Sequence, residues 1–209
     1  MKSIREIYRI GRGPSSSHTM GPAFASALIK RENPQADAFH VVLYGSLART
    51  GRGHQTDKAI EKALEPIPVD VEFDLETGNL PHPNTMDLFA YRDGRPIGAL
   101  RVMSVGGGAI KVEGRSDADT PEVYAEKSFA EIAEYCKHRN LRLSDYVERM
   151  EGPEIWDYLL KVWQTMKAAV DAGLSVTGEL PGGLHVERKA QYLYNQRHID
   201  ESAATRETA

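Results

Sequence analysis

The chain carries one cysteine, Cys136, in 209 residues. No disulfide can form within it, and its own residues cannot supply the several thiolates of a metal cluster. Long hydrophobic runs are missing as well. No stretch approaches the roughly 20 apolar residues of a membrane helix, and the opening MKSIREIYRI is too polar for a signal-peptide core. Nor is there an excess of charge of either sign: the formal net charge is -4, with basic and acidic residues interspersed. Such a surface offers little to a phosphate backbone or an anionic bilayer, so nucleic acid and membrane are not expected partners and a cytoplasmic location is. No internal repeat of about 20 to 50 residues is visible, and the closing DESAATRETA reads as a frayed polar end. What remains, at 41% hydrophobic and 27% charged residues, is the composition of a soluble protein with one or two modest cores.

Two regions differ in pattern. In the first, FHVVLYGS (39–46) is apolar and β-branched, and VDVEFDL (69–75) alternates with period two. MDLFAY (86–91) and IGALRVMSV (97–105) flank RDGRP, whose Asp93-Gly94 signals a hairpin. Helical character is expected in AFASALIKREN (23–33) and in TDKAIEKALEP, which opens on the cap candidates Thr56 and Asp57 and stops at Pro66. Strands and helices in this order predict an α+β sheet domain reaching AIKVEG, near residue 114. After the polar RSDADTPE, apolar residues recur at helical spacing through Phe129, Ile132 and Cys136. They do so again through Ile155, Leu159, Val162, Trp163, Met166 and Val170, between Pro153 and Gly173. This second half is expected to be helical, with Cys136 in the apolar face of its helix and a boundary between 115 and 127.

Four stretches could carry chemistry. GRGPSSSHTMGP (11–22) crowds short hydroxyls and His18 against a helix start, where Ser and Thr cap and open N–H groups attract anions. GSLARTGRGHQTDKA (45–59) reads as a glycine-rich turn between strand and helix, but five residues separate Gly45 from Gly51 and Arg52 follows, so it is not a phosphate-binding P-loop. There His54 could act as an acid or base near neutral pH, or with Asp57 could merely cap the helix. NLPHPNTM sets His82 between two prolines in what reads as a stiff, shaped loop. SVGGGAI (104–110) permits close backbone approach to a ligand or a neighbour, or forms only a bulge. A third glycine-rich turn, in GELPGGLHVERKAQYL (178–193), enters a basic amphipathic segment, whereas His40 and His138 carry no chemical signal.

Taken in order, GPSSSHTMGP, LYGSLARTGRGHQTDKA, HPNTM, SVGGGAI and TGELPGGLHVERKA resemble the iron–sulfur L-serine dehydratases, or L-serine ammonia-lyases, of the single-chain bacterial type. The first four resemble the β-type domain of that family, and the helical stretch ending in PGGLHVERKA resembles the opening of its catalytic α-type domain. The resemblance implies a β-type domain over 1–120 and the truncated start of an all-α catalytic domain over 121–209. Members of this type run to about twice this length or more, as multi-domain enzymes do. Their cluster cysteines lie in the part expected after residue 209, and Cys136 matches none of them, so the chain is expected to be an N-terminal portion that ligates no cluster and is inactive alone.

The activity implied by the resemblance is dehydration of L-serine to pyruvate and ammonia in amino-acid catabolism and gluconeogenesis. In the full-length enzyme a 4Fe-4S cluster receives the β-hydroxyl as a Lewis acid. L-Serine is the implied small-molecule partner, with the rest of the catalytic domain or a complementary subunit as the protein partner, and the full-length enzyme is an expected homodimer. Within this resemblance Ser15, Ser16, Ser17 and Thr19 are assigned to substrate binding, His18 and His54 to acid–base catalysis, and Asp57 to the substrate site, orienting one imidazole. Trp156, Leu160 and Trp163 are expected on a surface that the rest of the catalytic domain would cover. The competing expectation is a non-catalytic serine-sensing or docking module that pairs with a separate catalytic subunit.

Overall fold

The period-two segments become strands, and their apolar positions face one way. A computed structural model describes residues 1–115, 122–180 and 185–196, and the chain divides into two units, Met1–Tyr146 and Val147–Ala209. In the first, β1 (Ala38–Leu43), β2 (Val69–Phe73), β3 (Thr85–Arg92), β4 (Arg95–Gly106) and β5 (Ala109–Val112) form a five-stranded sheet in the order β2-β1-β3-β4-β5. β1 and β2 are parallel, Phe39 opposite Val69 and Leu43 opposite Phe73, while the other neighbours are antiparallel. A parallel pair needs a crossover, and α2 (Gly45–Thr50) and α3 (Thr56–Leu64) supply it. This is an α+β fold.

Burial follows the register. Val41 and Leu43 of β1, Met86 and Leu88 of β3 and Val102 of β4 pack with Ala25 and Ile29 of α1 (Gly21–Glu32), Leu47 of α2 and Ile60 and Leu64 of α3 in one apolar core. Each fully buried large side chain there contributes roughly 1.5 to 3 kcal/mol. Positions of opposite parity hold charge. Arg101 grips Asp87 with two hydrogen bonds of 2.7 Å, and the Tyr44 hydroxyl donates to the same carboxylate at 3.0 Å. Burial, reinforced by Asp87, pushes the Tyr44 phenol up to about 12. The expected hairpin is present between β3 and β4, with Asp93 and Gly94 both at positive φ, 50° and 71°.

Several expectations need correction. The 45–55 stretch is not an extended turn: its first six residues are the short helix α2, entered through Gly45 at φ 53°. The helical signal at 123–140 starts later, since α4 (Phe129–Arg139) begins after Ser128, whose hydroxyl accepts from the Glu131 amide while the Glu131 carboxylate accepts from the Lys127 amide. That exchange is a variant of the S-x-x-E capping box, written in SFAE. α4 buries no residue, Phe129 is exposed, and Cys136 is half-buried instead of a core residue. A further helix, α5 (Leu143–Glu151), was not anticipated.

α6 (Ile155–Ser175) matches its periodicity. Ile155 and Val162 are buried, whereas Trp156, Leu160, Trp163, Met166 and Val170 are exposed by 42 to 61%; their spacing sets them along one stripe. The expected exposure of Trp156, Leu160 and Trp163 is therefore observed. Residues 190–196 are helical. The boundary placed near residue 120, most of RSDADTPE, residues 181–184 of the third glycine-rich turn and the closing DESAATRETA lie outside the described residues. Among the described residues no helix is long and apolar enough to cross a membrane.

Candidate active site

The hydroxyl-rich stretch opens a helix. Residues Ser16–Met20 make a π-helical turn that runs directly into α1, and Ser15 caps it, its hydroxyl accepting from the His18 amide at 3.1 Å. The amides of Thr19 and Met20 both reach the Ser15 carbonyl. Among the described residues no acceptor meets the amides of Ser16 and Ser17, so they stand open at the positive end of a helical stretch reaching Glu32. The Ser16 hydroxyl lies on the surface beside them. Close packing of the helix start on the sheet demands a glycine: a Cβ on Gly21 would stand 2.1 Å from the Ser104 hydroxyl, deep in β4.

Two histidines, 36 positions apart, meet here. The rings of His18 and His54 lie 4.6 Å apart between centroids, tilted by 33°. Two threonines hold them by reciprocal bonds: Thr19 donates to the His54 carbonyl at 3.0 Å, and Thr56 donates to the His18 carbonyl at 2.6 Å. Both threonines are buried, so solvent does not compete for these bonds. His18 has both ring nitrogens occupied, Nδ1 by the Ser17 hydroxyl and Nε2 by the Ser46 hydroxyl, each at 3.0 Å. Burial, and then the neighbouring His54 ring, hold the His18 imidazole below its ordinary range, with Ser46 opposing in part. It is a neutral ring at pH 7.

His54 is arranged differently. Its Nδ1 lies 3.0 Å from the Thr50 carbonyl, which can only accept, so Nδ1 carries a proton. In the neutral ring Nε2 is then an unprotonated acceptor, and no hydrogen bond among the described residues occupies it. Of the four ring nitrogens in the pair, this is the one available to take a proton from a third molecule.

A loop between β2 and β3 closes the back of the site. The Ser46 amide donates to the Pro83 carbonyl at 2.8 Å, and Asn84 exchanges bonds with Ser104: the Ser104 amide donates to the Asn84 carbonyl, and the Asn84 side chain to the Ser104 carbonyl. HPN, SVGGG, GSLART and SSSHT therefore converge, although more than 80 positions separate SSSHT from SVGGG. The three glycines 106–108, all at positive φ, make the β4–β5 turn and its bulge. Gly108 packs against Met20 and Phe24, so here the close backbone approach serves packing. The hollow of about 410 Å³ lined by Glu126, Glu131, Glu134, Tyr135 and His138 contains none of these residues.

Measured against the expectations, the structure brings Ser15, Ser17, His18, Thr19 and His54 together and leaves Ser16 at the open edge. Thr19 is 1% exposed with its hydroxyl engaged on both sides, the position of a strut. Asp57 orients neither imidazole, because the ring nitrogens find their partners in Ser17, Ser46 and Thr50. Capping is not its role either: the cap of α3 is Gln55, in a left-handed conformation with no side-chain bond, and neither His54 nor Asp57 replaces it. Ser46 and Thr56 were not assigned to the site. Ser46 could have been suspected as the hydroxyl of a quoted motif, whereas nothing in the sequence marks the reach of Thr56 to His18. A 4Fe-4S cluster does not fit the residues present: the chain has one thiol, and the described residues hold no group of three or more His, Cys, Asp or Glu placed to bind a metal.

Comparison with known proteins agrees with the motif resemblance. Residues 3–72 match the family model of the serine dehydratase beta chain. The chain is 33% identical to L-serine dehydratase 1 of Escherichia coli K12 over 92% of its own length and 54% of that protein. It is 34% identical to the L-serine dehydratase of Haemophilus influenzae over 93% and 54%, and 33% identical to that of Streptomyces coelicolor over 90% and 53%. The chain thus resembles L-serine dehydratases over about nine-tenths of its residues and spans about half the length of these relatives.

Proposed function

We propose that this chain supplies the substrate-carboxylate and proton-transfer side of an L-serine ammonia-lyase active site. The net reaction converts L-serine to pyruvate and ammonia: loss of the α-proton and the β-hydroxyl leaves 2-aminoacrylate, which tautomerises and is hydrolysed. The substrate carboxylate is received by the amides of Ser16 and Ser17 and the hydroxyls of Ser16 and Ser17 at the helix start, with Ser15 holding the turn in shape. His54 takes the α-proton at Nε2, its Nδ1 remaining on the Thr50 carbonyl. His18 stays neutral and fixes the Ser17 and Ser46 hydroxyls, and by remaining uncharged it lets a proton reside on its neighbour. The observation that carries this reading is the unoccupied Nε2 of His54 beside an open helix N-terminus.

In this proposal residues 1–120 are a β-type domain and the helical remainder begins a catalytic domain. The iron–sulfur cluster implied by the motif resemblance belongs to segments outside this chain, and the setting is cytoplasmic amino-acid breakdown that supplies gluconeogenesis. The test joins the chain to the remaining length of an L-serine dehydratase and measures pyruvate release. His54→Ala lowers kcat by about 10² to 10⁴, the range for loss of a general base, without a comparable change in melting temperature. His54→Ala with near-parental turnover removes it as the base and favours the serine-sensing alternative, which predicts L-serine binding indifferent to that substitution.

A further inference from the structure

His82 is not used by the site described above, yet the loop that carries it is bonded to that site and held in shape by its own hydrogen bonds. The Pro83 carbonyl holds Ser46, the His82 carbonyl accepts from the Thr85 hydroxyl at 2.6 Å, and the Asn84 amide donates to His82 Nδ1 at 3.0 Å. Prolines on both sides contribute no N–H of their own. The ring is half-buried, and its orientation is set by that bond at Nδ1.

The bond also decides the tautomer. An amide N–H pointing at Nδ1 requires a lone pair there, so the neutral ring carries its proton on Nε2. No bond among the described residues takes up that Nε2–H. A side chain that accepts from the amide two residues on is the ordinary work of Asn or Asp in a turn, performed with fewer atoms. What histidine adds at this position is one fixed, neutral donor on the far side of the ring. His54 and His82 are thus locked in opposite senses by the backbone: one presents an acceptor at Nε2, the other a donor.

Resting on the reading of the site given above, we propose that His82 is a substrate-contacting residue whose Nε2–H donates to the carboxylate of a small amino acid held at the Ser16–Ser17 helix start. Two features point to a carboxylate. The donor sits on the loop that anchors Ser46, and Ser46 holds His18 in the turn whose open amides already favour an anion. An N–H that no hydrogen bond among the described residues takes up is free to complete such a site.

The test labels the histidine rings with nitrogen-15 and reads their tautomers by long-range proton–nitrogen correlation, with His82→Asn for assignment. In the free chain His82 shows the Nε2–H tautomer. L-Serine and glycine then shift its Nε2 signal, whereas ethanolamine, which has the amine and hydroxyl but no carboxylate, does not. His82→Asn keeps the turn through its own side-chain oxygen and weakens L-serine binding about tenfold, as loss of one hydrogen bond to a charged group does. A proton on Nδ1 of the neutral ring overturns the proposal before any ligand is added. If L-serine moves Ser16, Ser17 or His54 and leaves His82 untouched, or if His82→Asn binds as the parent does, the role of His82 falls and the site stands. A chain in which L-serine moves none of them loses both.

Discussion

Replacing Gly45 by alanine tests whether the back of the site is as tightly built as its geometry requires. Gly45 sits at φ 53°, and an added Cβ would stand 2.5 Å from the Pro83 carbonyl oxygen and 3.3 Å from its carbon. Left-handed backbone costs a non-glycine residue about 1 to 2 kcal/mol. The contact adds to this, because the obstacle is backbone: Pro83 must retreat, and its bond from the Ser46 amide goes with it. That bond is worth about 1 kcal/mol net, and overpacking of this kind typically costs 1 to 3 kcal/mol. Gly94 supplies the control, since it sits at φ 71° in the β3–β4 turn with nothing within 4 Å of its hypothetical Cβ. Gly94→Ala therefore loses only the conformational part, about 1 to 2 kcal/mol, and Gly45→Ala about 2 to 4 kcal/mol more. Urea unfolding followed by exchange of the β1 and β3 amides reads the first unit alone. In the same spectra Ser46 should release His18, visible at His18 Nε2. Equal losses at the two glycines, or a Gly45→Ala variant with an unchanged His18 signal, would refute the argument.

Folded His18 accepts a proton less readily than unfolded His18, so the unfolded state binds more protons as pH falls below about 6.5, the ordinary value. Stability present above that pH is lost on going down through the depressed folded value; His18→Gln flattens this limb of a melting-temperature profile, and an unaltered limb contradicts the assignment. The carboxylates held low by their partners, Glu32 by Arg115 and Glu126 by Tyr146, act in a separate window below about 4.5. On α6, Trp163 is 61% exposed, so Trp163→Lys shifts the unfolding midpoint of this chain by no more than about 0.5 kcal/mol; a loss of several kcal/mol, measured by denaturant titration, would show that the stripe is packed in this chain.

β1 and β3 bury successive residues and show only apolar runs, whereas a strand with one buried face writes its period into the sequence. VDVEFDL shows this at β2, where Val69, Val71 and Phe73 pack on the core while Asp70 and Glu72 face away. The hairpin was legible for a different reason, since two successive positive φ angles leave few choices beyond Asp-Gly. α4 was misjudged in its packing because apolar spacing records amphipathicity and does not say what the apolar face meets. α2 was missed because its six residues are too few to show a period, and its three glycine neighbours looked like loop. In the site, SSSHT and His54 were found through chemistry-bearing residue types. The struts Thr19 and Thr56 differ from a ligand-binding hydroxyl only in where the fold turns them, and no residue type reports that.

The reciprocal threonine bonds explain why the two histidine segments stay together. His18 and His54 lie on different segments, and two imidazole rings at 4.6 Å would repel if both were charged. Each segment instead holds the other by the carbonyl of the histidine itself, from a threonine one or two positions along. The restraint acts on the backbone, so the rings keep their spacing whichever of them is protonated. What then distinguishes them is the second contact of each ring. His18 meets hydroxyls, which can turn to donate or accept and so tolerate either tautomer; His54 meets a carbonyl, which admits one tautomer only. His18 therefore keeps both nitrogens engaged in either tautomer, whereas His54 is held in one. The fixed member is the one left with a ring nitrogen that no hydrogen bond among the described residues occupies, and that difference follows from the partners of the rings alone.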